Sequence, residues 1–275
     1  MGGNEVSRFW NGAGIYQNDP DGSDLYQYRL NFGYAHRLSS RWQAAIVLPY
    51  VWNSSEYETG PSYSTNGVGD MTLGLTYEAF DGIKCVWKVR DWKDLIPAAY
   101  FGLALTVPTG ISPYDDVVHY TEITGRGFYR LDGNILLDKT IYPWNASLLF
   151  SYGKYLERDV NSEYGDPVEP YKKELGDRML GTATFGYTHF LDNMDTMTFS
   201  LTYSHLEEDA GSIDGRPYYV SEMEKNSYGV IGAYSTMNRD WVYKLTYIHA
   251  IPDSGQGQNF PVTDILTLGV SHVFR

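Results

Sequence analysis

Cysteine, basic charge and long apolar runs are all scarce in this sequence. Cys85 is the single cysteine in 275 residues, so no internal disulfide can form, and no Cys-x-x-Cys-His haem attachment pattern is present. Lys and Arg total 21 against 34 Asp and Glu, a net charge of −13. A nucleic-acid binder needs a basic face for phosphates, which argues against that class. No apolar run approaches the roughly 18 residues of a transmembrane helix, which excludes a helical membrane protein. Helical periodicity is also nearly absent, and no Pro/Gly/Ser linker divides the chain, so one all-β domain over residues 1–275 is expected.

What the sequence has is alternation. In Leu266-Thr-Leu-Gly-Val-Ser-His-Val-Phe274, the residues Leu266, Leu268, Val270, His272 and Phe274 share one face, and Thr267, Gly269 and Ser271 the other. A soluble sheet would bury the apolar face under a second layer, but the chain shows no helices to supply one, so lipid is the simplest partner. The same pattern recurs. Tyr26, Tyr28, Leu30, Phe32 and Tyr34 alternate with Gln27, Arg29, Asn31 and Gly33, and Trp42, Ala44, Ile46, Leu48, Tyr50 and Trp52 follow the Ser39-Ser40 turn. Further runs start at Met71, Phe101, Tyr129, Trp144, Met179, Met197, Tyr228 and Trp241, with Phe9 to Tyr16 a weaker first strand.

The expected fold is therefore a transmembrane antiparallel up-and-down β-barrel of about 12 strands. Ser39-Ser40, Ile141 to Pro143, Leu191 to Asp195 and Met237 to Asp240 read as short periplasmic turns. Asn53 to Asn66, Ser112 to Arg126, Glu157 to Gly176, Leu206 to Lys225 and Pro252 to Thr263 read as long, acidic extracellular loops. Asp81 to Pro97 breaks the rule, being long on the short-turn side, with Lys84, Lys88, Arg90 and Lys93 interleaved with Trp87 and Trp92. It reads as a strand extension with a solvated turn, or as a docking element for a periplasmic partner. Met1-Gly2-Gly3-Asn4 lacks the charged and apolar regions of a signal peptide. A barrel requires export, so the sequence reads as a mature chain with an added start Met, bound for the bacterial outer membrane.

Inward alternation positions are mostly Ser, Thr, Gly and Ala. The charged minority, Arg29, Asp70, Glu78, Arg130, Asp132, Asp138 and Lys244, are the pore-lining candidates. Opposite charges could pair across the bore and narrow it, which favours a partly obstructed pore over a wide channel. Asp115, Asp116, Glu207, Glu208 and Asp209 are the candidates for an acidic mouth that attracts cations. Trp42, Trp52, Tyr77, Trp144, Tyr187, Tyr203, Trp241 and Tyr247 are placed where interfacial aromatic girdles belong. Four Tyr-x-His triplets, at Tyr34, Tyr187, Tyr203 and Tyr247, put ring and imidazole on one lipid-facing side, which suits a headgroup layer better than a metal site. No catalytic, metal or cofactor site is expected. An outer-membrane phospholipase would need a serine, a histidine and an orienting group on the outer face, and nothing in the sequence selects such a trio.

Three segments carry a family resemblance: Ile46-Val-Leu-Pro-Tyr-Val51, Gly67-Val-Gly-Asp-Met-Thr-Leu-Gly-Leu-Thr-Tyr77 and Leu103-Ala-Leu-Thr-Val-Pro-Thr-Gly110. In order and spacing they resemble the outer-membrane barrel family labelled as transporters of the meta-pathway of phenol degradation, over roughly the first 110 residues. The resemblance implies an outer-membrane channel or uptake protein for a small solute, with small aromatic or hydrophobic compounds as its cargo. It brings no catalytic residues. The trailing Arg275 departs from the terminal aromatic usual in barrel assembly signals. The partners expected are the bilayer, lipopolysaccharide and the solute. The alternative from another class is a non-conducting scaffold that docks a partner at residues 81–97.

Overall fold

A computed structural model describes residues 1–10, 16–18, 24–56, 61–80, 85–238, 240–251 and 260–274. Twelve antiparallel strands close into a barrel. They are β1 (Gly2–Trp10), β2 (Asp24–Arg37), β3 (Trp42–Glu56), β4 (Met71–Phe80), β5 (Ala98–Val107) and β6 (Arg130–Ile141), followed by β7 (Trp144–Tyr155), β8 (Arg178–Phe190), β9 (Thr196–Glu208), β10 (Met223–Ser235), β11 (Trp241–Ala250) and β12 (Phe260–His272). Each pairs with its sequence neighbour, and β1 closes on β12 with Gly2 opposite Thr267. Closure matters because a bilayer offers no water to satisfy an unpaired strand edge.

Register separates the two faces. Leu268 pairs with Leu245, and Tyr203 with Ala183 and Tyr228, so outward residues meet outward residues around the wall. These side chains have no protein cover: Leu201 is 65% exposed, Phe199 58% and Leu268 56%. In water such a band would be unfavourable at about 25 cal/mol per Å2; in lipid it is the solvated surface. Among the buried apolar residues, Val51, Val117, Phe128 and Tyr155 lie where a loop enters the barrel, and Val86, Ala98 and Ala99 at the tight-turn rim.

Several expected boundaries move. The first strand is Gly2–Trp10, not Phe9 to Tyr16; its Gly-Gly-Asn-Glu start carries no apolar alternation, and pairing with β12 sets its place. Residues 11–15, at the end of the expected strand, lie outside the described residues, as do 252–259 of the last long loop. Long connections also contain strands of their own. β3 runs on to Glu56 and pairs there with a strand at Tyr63–Val68, so the expected Asn53 to Asn66 loop is largely a hairpin. Strands Arg158–Glu163, Asp166–Glu174, Gly211–Ile213 and Arg216–Tyr218 build a separate four-stranded sheet from the two loops after β7 and β9. These are two polar hairpins joined by the pairing of Asp166–Glu174 with Gly211–Ile213, and neither has an apolar face whose alternation would mark it.

Candidate pore constriction

The segment between β5 and β6 folds into the bore. Asn53, inward on β3, donates from Nδ2 to the carbonyls of Thr121 (3.0 Å) and Ile123 (2.8 Å). Thr124 Oγ1 donates to Val68 O at 2.6 Å and accepts from Ile111 N at 2.9 Å. Asp70, just before β4, accepts from Gly110 N at 3.1 Å and Arg126 N at 2.7 Å, holding both ends of the loop with one carboxylate. The approach is close: a Cβ on Gly125 would stand 2.2 Å from Asp70 Oδ1, so this position requires glycine.

From that anchor the Arg126 side chain reaches the facing wall. Its Nη1 lies 2.6 and 2.9 Å from the Glu208 carboxylate oxygens on β9 and 2.8 Å from the Tyr155 hydroxyl on β7. β4 and β9 stand five strands apart around a twelve-stranded barrel, so loop and side chain together cross the lumen. Arg130 completes the cluster with Nε 2.9 Å from both Asp132 oxygens and Nη1 3.0 Å from Tyr155. Arg178, paired with Gly153 and Glu208, faces inward in the same row, and Gly153 leaves space that a Cβ would fill to within 2.3 Å of Asp132. Burial alone would lower the Arg126 pKa, but Tyr155 and Glu208 outweigh it and raise it, so this cation keeps its charge.

The other expected pore residues are spread along the bore. Arg29 borders a cavity of about 140 Å3 with Gln27, Asn31 and Thr267. Glu78 meets Arg37 at 3.5 Å near the tight-turn rim. Asp138 pairs with Ala98 and Ser147 on the inward face, and Lys244 sits between Ala233 and Gly269, solvent-accessible and in no salt bridge among the described residues. Asp70 binds the loop backbone and does not line an open wall.

The expected mouth acids separate. Glu208 is 7% exposed and committed to Arg126, and Glu207 points outward with Tyr203 and His205. Asp115 accepts from Ser112 N and Oγ, both at 2.7 Å, while Asp116 and Asp209 are exposed. Arg126, Arg130 and Arg178 thus gather at the level of Tyr155 and Glu208, and of the three only Arg130 was expected from the sequence. Tyr155 and Arg178 would have been found by running the alternation of β7 past Tyr152 and of β8 back past Met179; Arg126 carried no local signal.

Outward aromatics fall into two groups. Trp42 and Tyr77 have ring centroids 4.8 Å apart, Trp144 and Tyr187 5.1 Å, and Trp241 and His272 4.4 Å, all toward the tight turns. Toward the other rim, Trp52 packs 4.6 Å from Tyr50, Tyr203 donates to Asn226 Oδ1 at 2.7 Å, and Tyr247 to Asp264 Oδ1 at 2.6 Å. His249 Nδ1 is 2.8 Å from Asp264, but the adjoining outward side chains are the phenols Tyr228 and Tyr247, not a serine hydroxyl. Among the described residues no group of three or more His, Cys, Asp or Glu could hold a metal.

A closed strand ladder, an apolar outer band and a polar bore define an outer-membrane β-barrel. The fold is similar to that of an outer membrane channel from Pseudomonas putida F1, with TM-score 0.71 and 16% identity, covering 99% of this chain and 94% of that one. It is also similar to the β domain of the Bordetella autotransporter BrkA, with TM-score 0.51 and 11% identity, covering 99% and 98%. No curated protein matches the chain by sequence. Residues 16–166 match the family described as "Putative MetA-pathway of phenol degradation", and the chain belongs to that family.

Proposed function

We propose that this barrel is a channel of the bacterial outer membrane that passively conducts a small solute past a loop folded into its bore. The observation that carries the reading is the Arg126 strut: it narrows the lumen with side chains and leaves a wall of small polar residues and accessible charges such as Lys244 around it. The family description names phenol degradation, and small aromatic compounds are the solute class we assign. The half-exposed guanidinium of Arg126, packed beside the buried Tyr155 ring, is a cationic surface suited to the face of such a solute's ring. The P. putida relative in fold is itself an outer membrane channel.

The test is single-channel recording in planar bilayers, followed by liposome swelling with small aromatic solutes and aliphatic solutes of equal mass. Discrete openings with faster entry of the aromatic solutes support the proposal. A silent bilayer under every condition overturns it in favour of a non-conducting scaffold. Openings with no preference remove the solute class alone.

A further inference from the structure

The connection between β4 and β5 differs in kind from the other turns on its rim. Cys85 and Val86 run parallel to Thr140 and Ile141 of β6, and Tyr142 N donates to Val86 O at 2.8 Å. The Trp87 ring then lies 4.5 Å from Tyr142 and 5.7 Å from Phe190, which ties the segment beneath β6 and β8. Beyond it, a short 3-10 turn at Trp92–Leu95 is closed by its own acids. Asp94 accepts from Arg90 N at 2.7 Å and Asp91 from Lys93 N at 2.6 Å. The carboxylates are thus turned to the backbone, while the side chains of Lys88, Arg90 and Lys93 are exposed.

The aromatic residues of this ordered turn are exposed too, Trp87 by 66% and Trp92 by 69%. Leu95 and Pro97 meanwhile form the lower lip of an apolar trough of about 480 Å3 that continues up the lipid-facing wall past Leu137, Ala146, Ala183 and Phe185. The two alanines dent a surface otherwise built from large side chains. Lys139 Nζ stands at the lip, 3.0 Å from Ile96 O. Because the trough opens on the band that faces hydrocarbon, its occupant in a membrane is an acyl chain. Basic side chains and tryptophans at its lip match a phosphate and a headgroup layer.

We propose that this rim site holds an anionic glycerophospholipid of the inner leaflet, with its phosphate against Lys88, Arg90 and Lys93 and one acyl chain in the Ala146–Ala183 trough. Tight turns mark the periplasmic rim in barrels of this class, which selects the leaflet. The site depends on the barrel's seat in the membrane and not on what the pore conducts.

The full chain is reconstituted into nanodiscs of phosphatidylethanolamine with phosphatidylglycerol, and lipid retained on release is counted by native mass spectrometry. Quenching of tryptophan fluorescence by headgroup-proximal brominated lipids is read in parallel. The wild type is expected to retain phosphatidylglycerol over phosphatidylethanolamine by roughly tenfold. K88Q/R90Q/K93Q is expected to lose that preference, and Ala183→Trp, a change on the lipid-facing surface, to retain less of either lipid. Heat-modifiable electrophoretic mobility confirms that each variant is a folded barrel. Equal retention of the two lipids by the wild type overturns the proposal, as does an unchanged preference in the triple variant. So does a soluble periplasmic protein that displaces the lipid and shields the segment's tryptophans from quencher.

Discussion

Arg126 and Glu208 meet across the bore: the guanidinium Nη1 of a loop residue lies 2.6 Å from Oε1 and 2.9 Å from Oε2 of a carboxylate on the facing wall. The same Arg126 is held at its backbone by Asp70, 2.7 Å away. A pair of charges anchored at both ends is a strut. Charge-assisted hydrogen bonds of this kind contribute about 1.5–3 kcal/mol, and half the Arg126 side chain is solvated, which places this one toward the lower figure. Replacing Arg126 with Ala is expected to raise single-channel conductance and flicker, while the barrel still folds.

Gly125→Ala attacks the other end of the strut. The added methyl would lie 2.2 Å from Asp70 Oδ1, so the carboxylate must leave one or both backbone donors. The loop should loosen at a cost of about 1–3 kcal/mol for unsatisfied groups. Limited proteolysis within residues 108–129 checks this: faster cleavage in intact barrels than in the wild type is expected, and an unchanged rate would show that Asp70 is not the anchor.

Lys244 projects into the bore with no salt bridge among the described residues. Lys244→Glu should therefore shift permeability toward cations by a few-fold, seen as a displaced reversal potential in a salt gradient, without altering folding. Substituting Tyr243, which faces lipid from the neighbouring position, should leave that potential where it was.

The β8–β9 turn makes acid stability local. Asp195 accepts hydrogen bonds from the Tyr234 hydroxyl, from Met237 N at 2.7 Å and from Asn193 Nδ2 at 2.6 Å, and these hold its carboxyl below its ordinary value. A depressed folded-state pKa means the contribution is present above the unfolded value, near 3.9, and is lost as pH falls through the folded one. Asp195→Asn should speed amide exchange at residues 191–195 at pH 7, where the wild type holds the contribution, and flatten its pH dependence below about pH 4.

Outer-wall chemistry predicts one more asymmetry. Leu268→Arg places a charge in the apolar band and should cost about 2–4 kcal/mol near mid-membrane. Thr267→Arg, one residue away on the bore side, should cost much less, as measured by folding yield into vesicles.

The sequence alone decided the barrel, its approximate strand number and the face each side chain takes. Lipid and water are opposite solvents, and a strand that divides them must alternate residue by residue, as Leu266, Thr267, Leu268 and Gly269 do. The two rims were legible for the same local reason, since a tight turn and a long loop differ in length and residue type. Tertiary structure decided what the bore contains. Asp70 reads as a lumen charge along the chain but binds a loop about forty to fifty-six residues later in sequence. Glu208 reads as a mouth acid but pairs with Arg126, 82 residues before it. Such contacts depend on which strands close beside one another and on a loop turning inward. Neither leaves a period in the sequence.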